Sequence, residues 1–147
     1  MEGCGQKHKQ LEIVAWCIMS NHVHLVYRTT GHNKPGLVLG DIKRYSSRQL
    51  VKAIANNPKE SKREWLLQNF RDAAGKSSNV KNYQFWRHDN HPIEIWSNKF
   101  ITQKVRYVHN NPVKAGVVLR PEDYLYSSAA DYAGMPGLLE DVFVVDI

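Results

Sequence analysis

The chain has 147 residues, of which 42% are hydrophobic and 23% are charged. These values are typical of one soluble globular domain, and no apolar run is long enough to cross a membrane. The net charge of +6 instead favours a polyanionic partner, nucleic acid before membrane.

The two cysteines, Cys4 and Cys17, show neither metal-ligand nor disulfide spacing, and no signal peptide is recognised at the start. Disulfides are rare in reducing compartments, so two cysteines without disulfide spacing are typical of a cytoplasmic protein. We therefore expect one cytoplasmic domain over residues 1–147.

The first predicted elements form a β-hairpin. Residues 11–18 (LEIVAWCI) predict a strand, Ser20-Asn21 a tight turn, and residues 22–28 the return strand. Side chains two apart on a strand share a face, so His22 and His24 would project together, as two ligands of one metal ion do. From this doublet alone, ordinary surface or hydrogen-bonded histidines stay an open alternative.

Two helices are predicted next. Apolar residues three and four apart predict a helix over about 37–55, and a row of basic side chains lies on its opposite face: Arg44, Arg48 and Lys52. This row either contacts phosphates or is a solvated face. Asn57-Pro58 ends this helix and predicts the start of a second one, followed by a polar, mobile loop at 75–81.

Residues 82–96 are rich in aromatic and β-branched side chains, which predicts one further strand or a broken pair of strands. Trp86 and Arg87 lie in this segment. They are candidate DNA contacts through base stacking, and packing into a core is the alternative. A third helix is predicted from Ser97 or Asn98 to Asn110, stopped by Pro112, with a turn closed at Gly116.

Tyr107 and Asn111 are four residues apart near the end of that third helix, and Lys104 lies on the same edge. A tyrosine at this position is either a packing residue or a nucleophile, since a deprotonated or metal-assisted phenol is a competent nucleophile. The Asn111 carbonyl oxygen is a neutral metal ligand. The pair is therefore a candidate for the reactive group and the third ligand that the histidines lack.

These motifs together resemble those of the single-tyrosine HUH transposases, in which HUH denotes His, a hydrophobic residue and His. The resemblance is carried by NHVHLV at 21–26, YVHNNPVKAG at 107–116 and DYLYSSA at 123–129. The most similar branch is that of the REP-associated tyrosine transposases, and the similarity extends from about Leu11 to Tyr132.

The resemblance implies an α+β, ferredoxin-like fold: an antiparallel sheet with helices packed on one face. It implies that His22, His24 and Asn111 bind a divalent metal, Mg²⁺ or Mn²⁺. Tyr107 would attack a phosphodiester in single-stranded DNA near a hairpin, forming a 5′-phosphotyrosine link and releasing a 3′-hydroxyl. Because these ligands are neutral, we expect weak metal binding unless DNA is bound or metal is in excess.

The resemblance also predicts a shortened start, because only ten residues precede the hairpin where the family carries its first strand and most of a helix. A missing strand leaves an open sheet edge, which a homodimer would cover. The shortening keeps an alternative function open: a catalytically inactive transposase remnant that still binds DNA hairpins. A hydrolase that uses the histidines without covalent chemistry is disfavoured, because no carboxylate neighbours them.

Overall fold

The structure, a computed structural model, describes residues 11–77, 82–88 and 90–147. Its contacts divide the chain into two compact units. The sheet unit comprises the described parts of Met1–Pro35 and Ile93–Ile147, and the helical unit those of Gly36–Pro92. The predicted shortened start lies outside the described residues, and the single domain over 1–147 stays a prediction.

An antiparallel hairpin forms the centre of the sheet unit. Strand β1 (Leu11–Ile18) pairs with strand β2 (Val23–Thr29), and the register shifts between Ile13 and Ala15. The Met19 amide donates to the His22 carbonyl at 2.9 Å and closes the turn. The predicted hairpin is confirmed, except that His22 lies in the turn, one residue before β2.

The outer edge of β1, which faces away from β2, is covered by the C-terminal part of the chain. Isolated bridges join Cys17 to Ser127 and Ile13 to Val142. Backbone hydrogen bonds also join this edge to the C-terminal part: the Ile18 amide donates to the Tyr126 carbonyl, and the amides of Ser128 and Phe143 donate to the carbonyls of Trp16 and Ile13. In addition, the Tyr124 hydroxyl donates to the Ile18 carbonyl and the Tyr132 hydroxyl to the Val14 carbonyl. The expected open edge is therefore not at β1.

Helix α3 of the sheet unit, Asn98–Lys114, packs on β1. Two helices precede it in the chain, α1 (Pro35–Ala55) and α2 (Arg63–Gly75). The Ser97 hydroxyl accepts from the Phe100 amide at 3.2 Å and caps its start. Val105 and Val108 are buried against β1, together with the side chains of Val14, Ala15 and Cys17. This apolar contact fixes which face of α3 is turned to solvent.

Helix α3 was expected to stop at Pro112, and that expectation is wrong, because Pro112 lies inside its last turn. Proline removes the amide that would bond to the Val108 carbonyl. The Asn111 side-chain amide replaces it, at 3.4 Å from that carbonyl and 2.8 Å from the Tyr107 carbonyl. The helix ends four residues after Asn110, and Gly116 with φ +70° reverses the chain as predicted.

A 3₁₀ turn (Pro121–Asp123) and the short helix α4 (Ala129–Tyr132) follow α3. The helical unit consists of α1 (Pro35–Ala55), α2 (Arg63–Gly75) and irregular segments. The predicted start of α2 at Pro58 is wrong by five residues. Asn57 Oδ1 accepts from the Lys59 amide at 3.1 Å, so it stabilises a turn rather than a helix start.

The strand predicted within residues 82–96 is also wrong, since the described residues of this segment form none. Phe85 instead packs on Phe70 of α2, with ring centroids 5.2 Å apart, and the Gln84 amide donates to the Phe70 carbonyl. The aromatic composition reflects packing on a helix, because β-propensity mainly measures fit to a half-buried surface.

The fold is α+β, as predicted, and the two-stranded sheet with its helices corresponds to part of a ferredoxin-like arrangement. Within the described ranges, no helix combines the length and the apolar character needed to cross a membrane.

Candidate active site

The histidine pair lies where the turn enters β2. The rings of His22 and His24 meet edge to face, with centroids 4.9 Å apart. His22 is exposed, and its Nδ1 lies 2.6 Å from the Oδ1 of Asn21. This bond orients the ring and leaves Nε2 for another partner, an arrangement common in metal-binding histidines.

His24 is half-buried opposite Cys17 of β1. Its Nε2 is buried and has no hydrogen-bond partner within the described part of the chain. Burial lowers the pKa of His24, the charge of His22 lowers it further, and the Asn111 side chain partly opposes both effects. His24 is therefore neutral at pH 7 and carries a ring nitrogen suited to binding a cation.

Tyr107 of α3 lies beside these histidines, with its ring edge-on to that of His24 at a centroid distance of 5.5 Å. The tyrosine is 47% exposed. Two ammonium groups lie near its ring: Lys104 Nζ at 5.8 Å and Lys114 Nζ at 5.2 Å from the centroid. The phenol is thus accessible to a large substrate and lies in a positively charged environment.

Asn111 is one helical turn beyond Tyr107. Its Nδ2 donates to the Tyr107 carbonyl at 2.8 Å, which fixes the amide plane. Because the donor half of the amide is used by the helix, Oδ1 is the half left for His24 or a metal ion. Asn111 therefore has two roles, supporting the helix around Pro112 and presenting an oxygen toward the histidines.

His109, which lies between Tyr107 and Asn111 in α3, is connected to β1 by buried hydrogen bonds through Ser128. His109, 5% exposed, has its Nε2 2.8 Å from Ser128 Oγ, which also accepts from the Trp16 amide at 2.9 Å. Burial lowers the pKa of His109 to about 4, so the ring is neutral at pH 7. The rotation of α3 about its axis is thereby fixed with Tyr107 toward β2.

The ligand chemistry of the site differs from that of carboxylate-rich metal centres. Among the described residues, no group of three or more His, Cys, Asp or Glu side chains is placed to hold a metal ion. A cation bound to His22 and His24 would therefore take its third protein ligand from another residue type, and Asn111 is the polar side chain of α3 at that position.

The structure brings together five of the predicted site residues: His22, His24, Tyr107, Asn111 and Lys104. The others belong to the helical unit, namely Arg44, Arg48, Lys52, Trp86 and Arg87. Trp86 is half-buried, and its indole N–H donates to Ser46 Oγ at 2.9 Å, so it packs within that unit. The three basic residues of α1 are exposed, as their spacing predicts.

Sequence reasoning missed Lys114 and the His109–Ser128 bond. Lys114 could have been found from spacing, since it continues the series formed by Lys104, Tyr107 and Asn111 on one helix face. The partner of His109 could not, because Ser128 is 19 residues away and reaches it through the chain reversal at Gly116.

Fold and site together define an α+β protein in which a helix-borne tyrosine faces a histidine pair on a hairpin. The family model described as "Transposase IS200 like" matches residues 4–113, well over half of the chain. The chain belongs to this IS200-like transposase family, whose members process DNA. Comparisons with curated proteins and with solved structures found no match.

Proposed function

We propose that the protein is a metal-dependent transposase that nicks and joins single-stranded DNA near hairpins, with Tyr107 as nucleophile. The observation that carries this proposal is the edge-on contact between Tyr107 and His24, with His22 and Asn111 beside them. Membership in the IS200-like family supports DNA as the substrate. Assignment to the REP-associated branch, a homodimer and a cytoplasmic location stay predictions.

The proposed step is a transesterification. The Tyr107 hydroxyl oxygen bonds to phosphorus and loses its proton, while the bond from phosphorus to the 3′-oxygen breaks and that oxygen takes up a proton. The downstream strand then carries a 5′-phosphotyrosine, and the upstream strand ends in a 3′-hydroxyl. Because one phosphodiester replaces another, a 3′-hydroxyl reverses the step and joins strands without ATP.

The residues that would hold the metal are His22, His24 and Asn111, and Mg²⁺ or Mn²⁺ is the expected ion. The unpartnered, buried Nε2 of His24 supports this assignment, since a buried polar atom without a partner is costly and a bound cation would supply the partner. A bound cation would polarise the phosphate and stabilise the charge that develops on it. Two imidazoles and an amide are neutral, so affinity without DNA should be weak, and sub-micromolar Mg²⁺ binding by titration calorimetry would contradict this.

Two lysine side chains also have a role in the proposed reaction. Lys104 and Lys114 lie near the Tyr107 ring and would attract the phosphates on either side of the bond to be cut. Their ammonium groups would also stabilise negative charge on the phenol oxygen as its proton leaves.

The test is a covalent adduct on a denaturing gel, formed with Mn²⁺ and a hairpin-bearing oligonucleotide. A label at the 3′ end should stay with the protein, whereas a 5′ label should leave on a fragment that a polymerase can extend. Tyr107→Phe should abolish both products. Tyr45→Phe is the matched control, because Tyr45 is similarly exposed (54%) and lies in the helical unit.

The alternative is an inactive remnant that binds DNA hairpins without cutting them. It predicts retained binding and no adduct with Mg²⁺, Mn²⁺ or other divalent metals. Adduct formation that survives in Tyr107→Phe would instead assign the chemistry to a different nucleophile and overturn the proposed role of Tyr107.

A further inference from the structure

The helix face that carries Tyr107 continues toward the start of α3 with the half-buried side chains of Lys104 and Phe100. The rings of Trp96 and Phe100 are stacked, with centroids 6.0 Å apart and an interplanar angle of 29°. Lys104 Nζ lies 5.0 Å from the Phe100 centroid and 5.8 Å from that of Tyr107. An unbroken row of two aromatic rings and one cation therefore leads to the tyrosine.

Trp96 is 81% exposed, which is unusual for a side chain with so much apolar surface. Beside it is an open groove of about 230 Å³, lined by Trp96, Ser97, Lys99, Phe100 and Gln103. This volume is below the range of about 300–1,000 Å³ found for enclosed small-molecule pockets. An open groove with a tryptophan ring as one wall suits a planar group that stacks from one side.

The charge of α3 indicates what kind of planar group fits. Residues 98–114 contain no Asp or Glu and four basic side chains: Lys99, Lys104, Arg106 and Lys114. A segment of this composition attracts a polyanion and repels no part of it. Aromatic rings between cations are the arrangement by which proteins bind single-stranded nucleic acid, with bases on the rings and phosphates near the charges.

The separation of Phe100 and Tyr107 along α3 also suits a single strand of DNA. Phe100 and Tyr107 are seven residues apart, which corresponds to about 10 Å along a helix. That length is about three nucleotide steps at duplex spacing, and fewer in an extended strand. A strand whose phosphate lies at Tyr107 can therefore place a nearby base at Phe100 and at the Trp96 ring that stacks on it.

We propose that Trp96 and Phe100 form a stacking site for one unpaired base of the DNA strand, with Lys104 binding the phosphate between this base and the bond at Tyr107. The inference rests on the proposed function, because it uses the same strand. It adds a positioning subsite that sets which phosphate is presented to the tyrosine.

The experiment combines protein variants with abasic nucleotides. Binding of a fluorescein-labelled hairpin oligonucleotide with unpaired flanks is measured by polarisation in Tyr107→Phe protein, where no adduct can form. Abasic sites are placed one at a time along both flanks. One position should weaken binding about tenfold when Trp96 is present. In Trp96→Ala protein the same abasic site should have no further effect.

Trp65→Ala is the matched control, since Trp65 is also an exposed tryptophan but belongs to the helical unit. It should keep the abasic effect. Phe100→Ala should reduce the effect as Trp96→Ala does, and circular dichroism checks that both variants are folded. Equal abasic losses with and without Trp96 would overturn the stacking site.

Failure of this inference is distinguishable from failure of the proposed function. Adduct formation by wild-type protein without any coupling between Trp96 and an abasic position removes the stacking site only. Coupling without an adduct in wild-type protein leaves the stacking site in place and removes the covalent chemistry.

Discussion

Two helices of this protein carry rows of basic side chains, and the two rows have different surroundings. The basic row of α1 consists of Arg44, Arg48 and Lys52, and Arg44 is paired with Asp41 at 2.8 Å. The tyrosine row of α3 consists of Phe100, Lys104, Tyr107, Asn111 and Lys114. Its helix contains no acidic residue, and both lysines lie near aromatic rings.

The difference shows why spacing alone is a weak guide to a binding surface. The row of α1 repeats every four residues and that of α3 alternates between four and three, so each follows one face of its helix. In α1 the neighbouring carboxylate already offsets one of the charges, which leaves less for a ligand to gain. In α3 the two lysines lie near the phenol of Tyr107, which is beside the histidine pair. A phosphate bound there would therefore be close both to positive charges and to the candidate catalytic groups.

Among the changes that leave Tyr107 in place, the largest expected effect comes from removing the histidine that faces the tyrosine row. His24→Ala should lower the rate of metal-dependent adduct formation by about 10²–10³-fold, the usual loss when one group that stabilises transition-state charge is removed. The measurement is single-turnover cleavage of the hairpin oligonucleotide in Mn²⁺. His32→Ala, at an exposed histidine of the same unit, should leave the rate unchanged. A similar loss in both variants would mean that His24 has no special role.

The next effect concerns the bond that holds the tyrosine row in place. The pKa of His109 is about 4 in the folded protein against 6.5 for an unperturbed histidine. Between pH 6.5 and 4 the unfolded chain binds a proton that the folded chain does not, so stability falls as the pH falls through this window. The full shift corresponds to about 3 kcal/mol.

Urea unfolding at pH 7 and at pH 4.5 measures this loss. His109→Gln keeps a hydrogen-bonding side chain but cannot titrate, so its stability should decline less over the same interval. Equal declines in the two proteins would show that His109 is not the group responsible. The helical unit supplies no such buried histidine within its described residues.

Local patterns in the sequence predicted the sheet unit better than the helical unit. The hairpin and the body of α3 follow from alternation and from three- and four-residue spacing, and they carry His24 and Tyr107. The ends of the helices depend on which backbone group a side chain hydrogen-bonds to, and spacing does not determine this. Asn57 bonds to a turn amide instead of starting α2, and Asn111 supports α3 past Pro112.

Other features that the sequence did not predict correctly are set by contacts between distant segments. The aromatic residues at 82–96 gave the composition of a strand, yet Phe85 packs on α2 and Trp86 bonds to Ser46 of α1. Likewise, helical spacing places Phe100 on α3 but does not show that its ring stacks on Trp96. An aromatic composition indicates that the side chains pack against another part of the protein, and only the tertiary structure specifies which part.

The lysines of the tyrosine row give a moderate expected effect. Lys104→Gln and Lys114→Gln should each weaken binding of single-stranded DNA a few-fold. Each should also reduce the slope of log K against log salt by about 0.7, the value for one lost phosphate contact with a single strand. Polarisation measured over a series of salt concentrations gives both quantities. An unchanged slope would show that these lysines do not contact phosphate.

The smallest expected effect is in the basic row of α1. Arg44→Gln should change the affinity for single-stranded DNA by less than about twofold, because the carboxylate of Asp41 beside it already offsets its charge toward a phosphate. The salt slope should stay that of the wild type. Since Lys104→Gln removes one positive charge as well, the two variants have the same net charge and lose it on different helices. A slope lowered equally by both would mean that DNA contacts the two rows alike, and the contrast between the helices would then reduce to one of net charge.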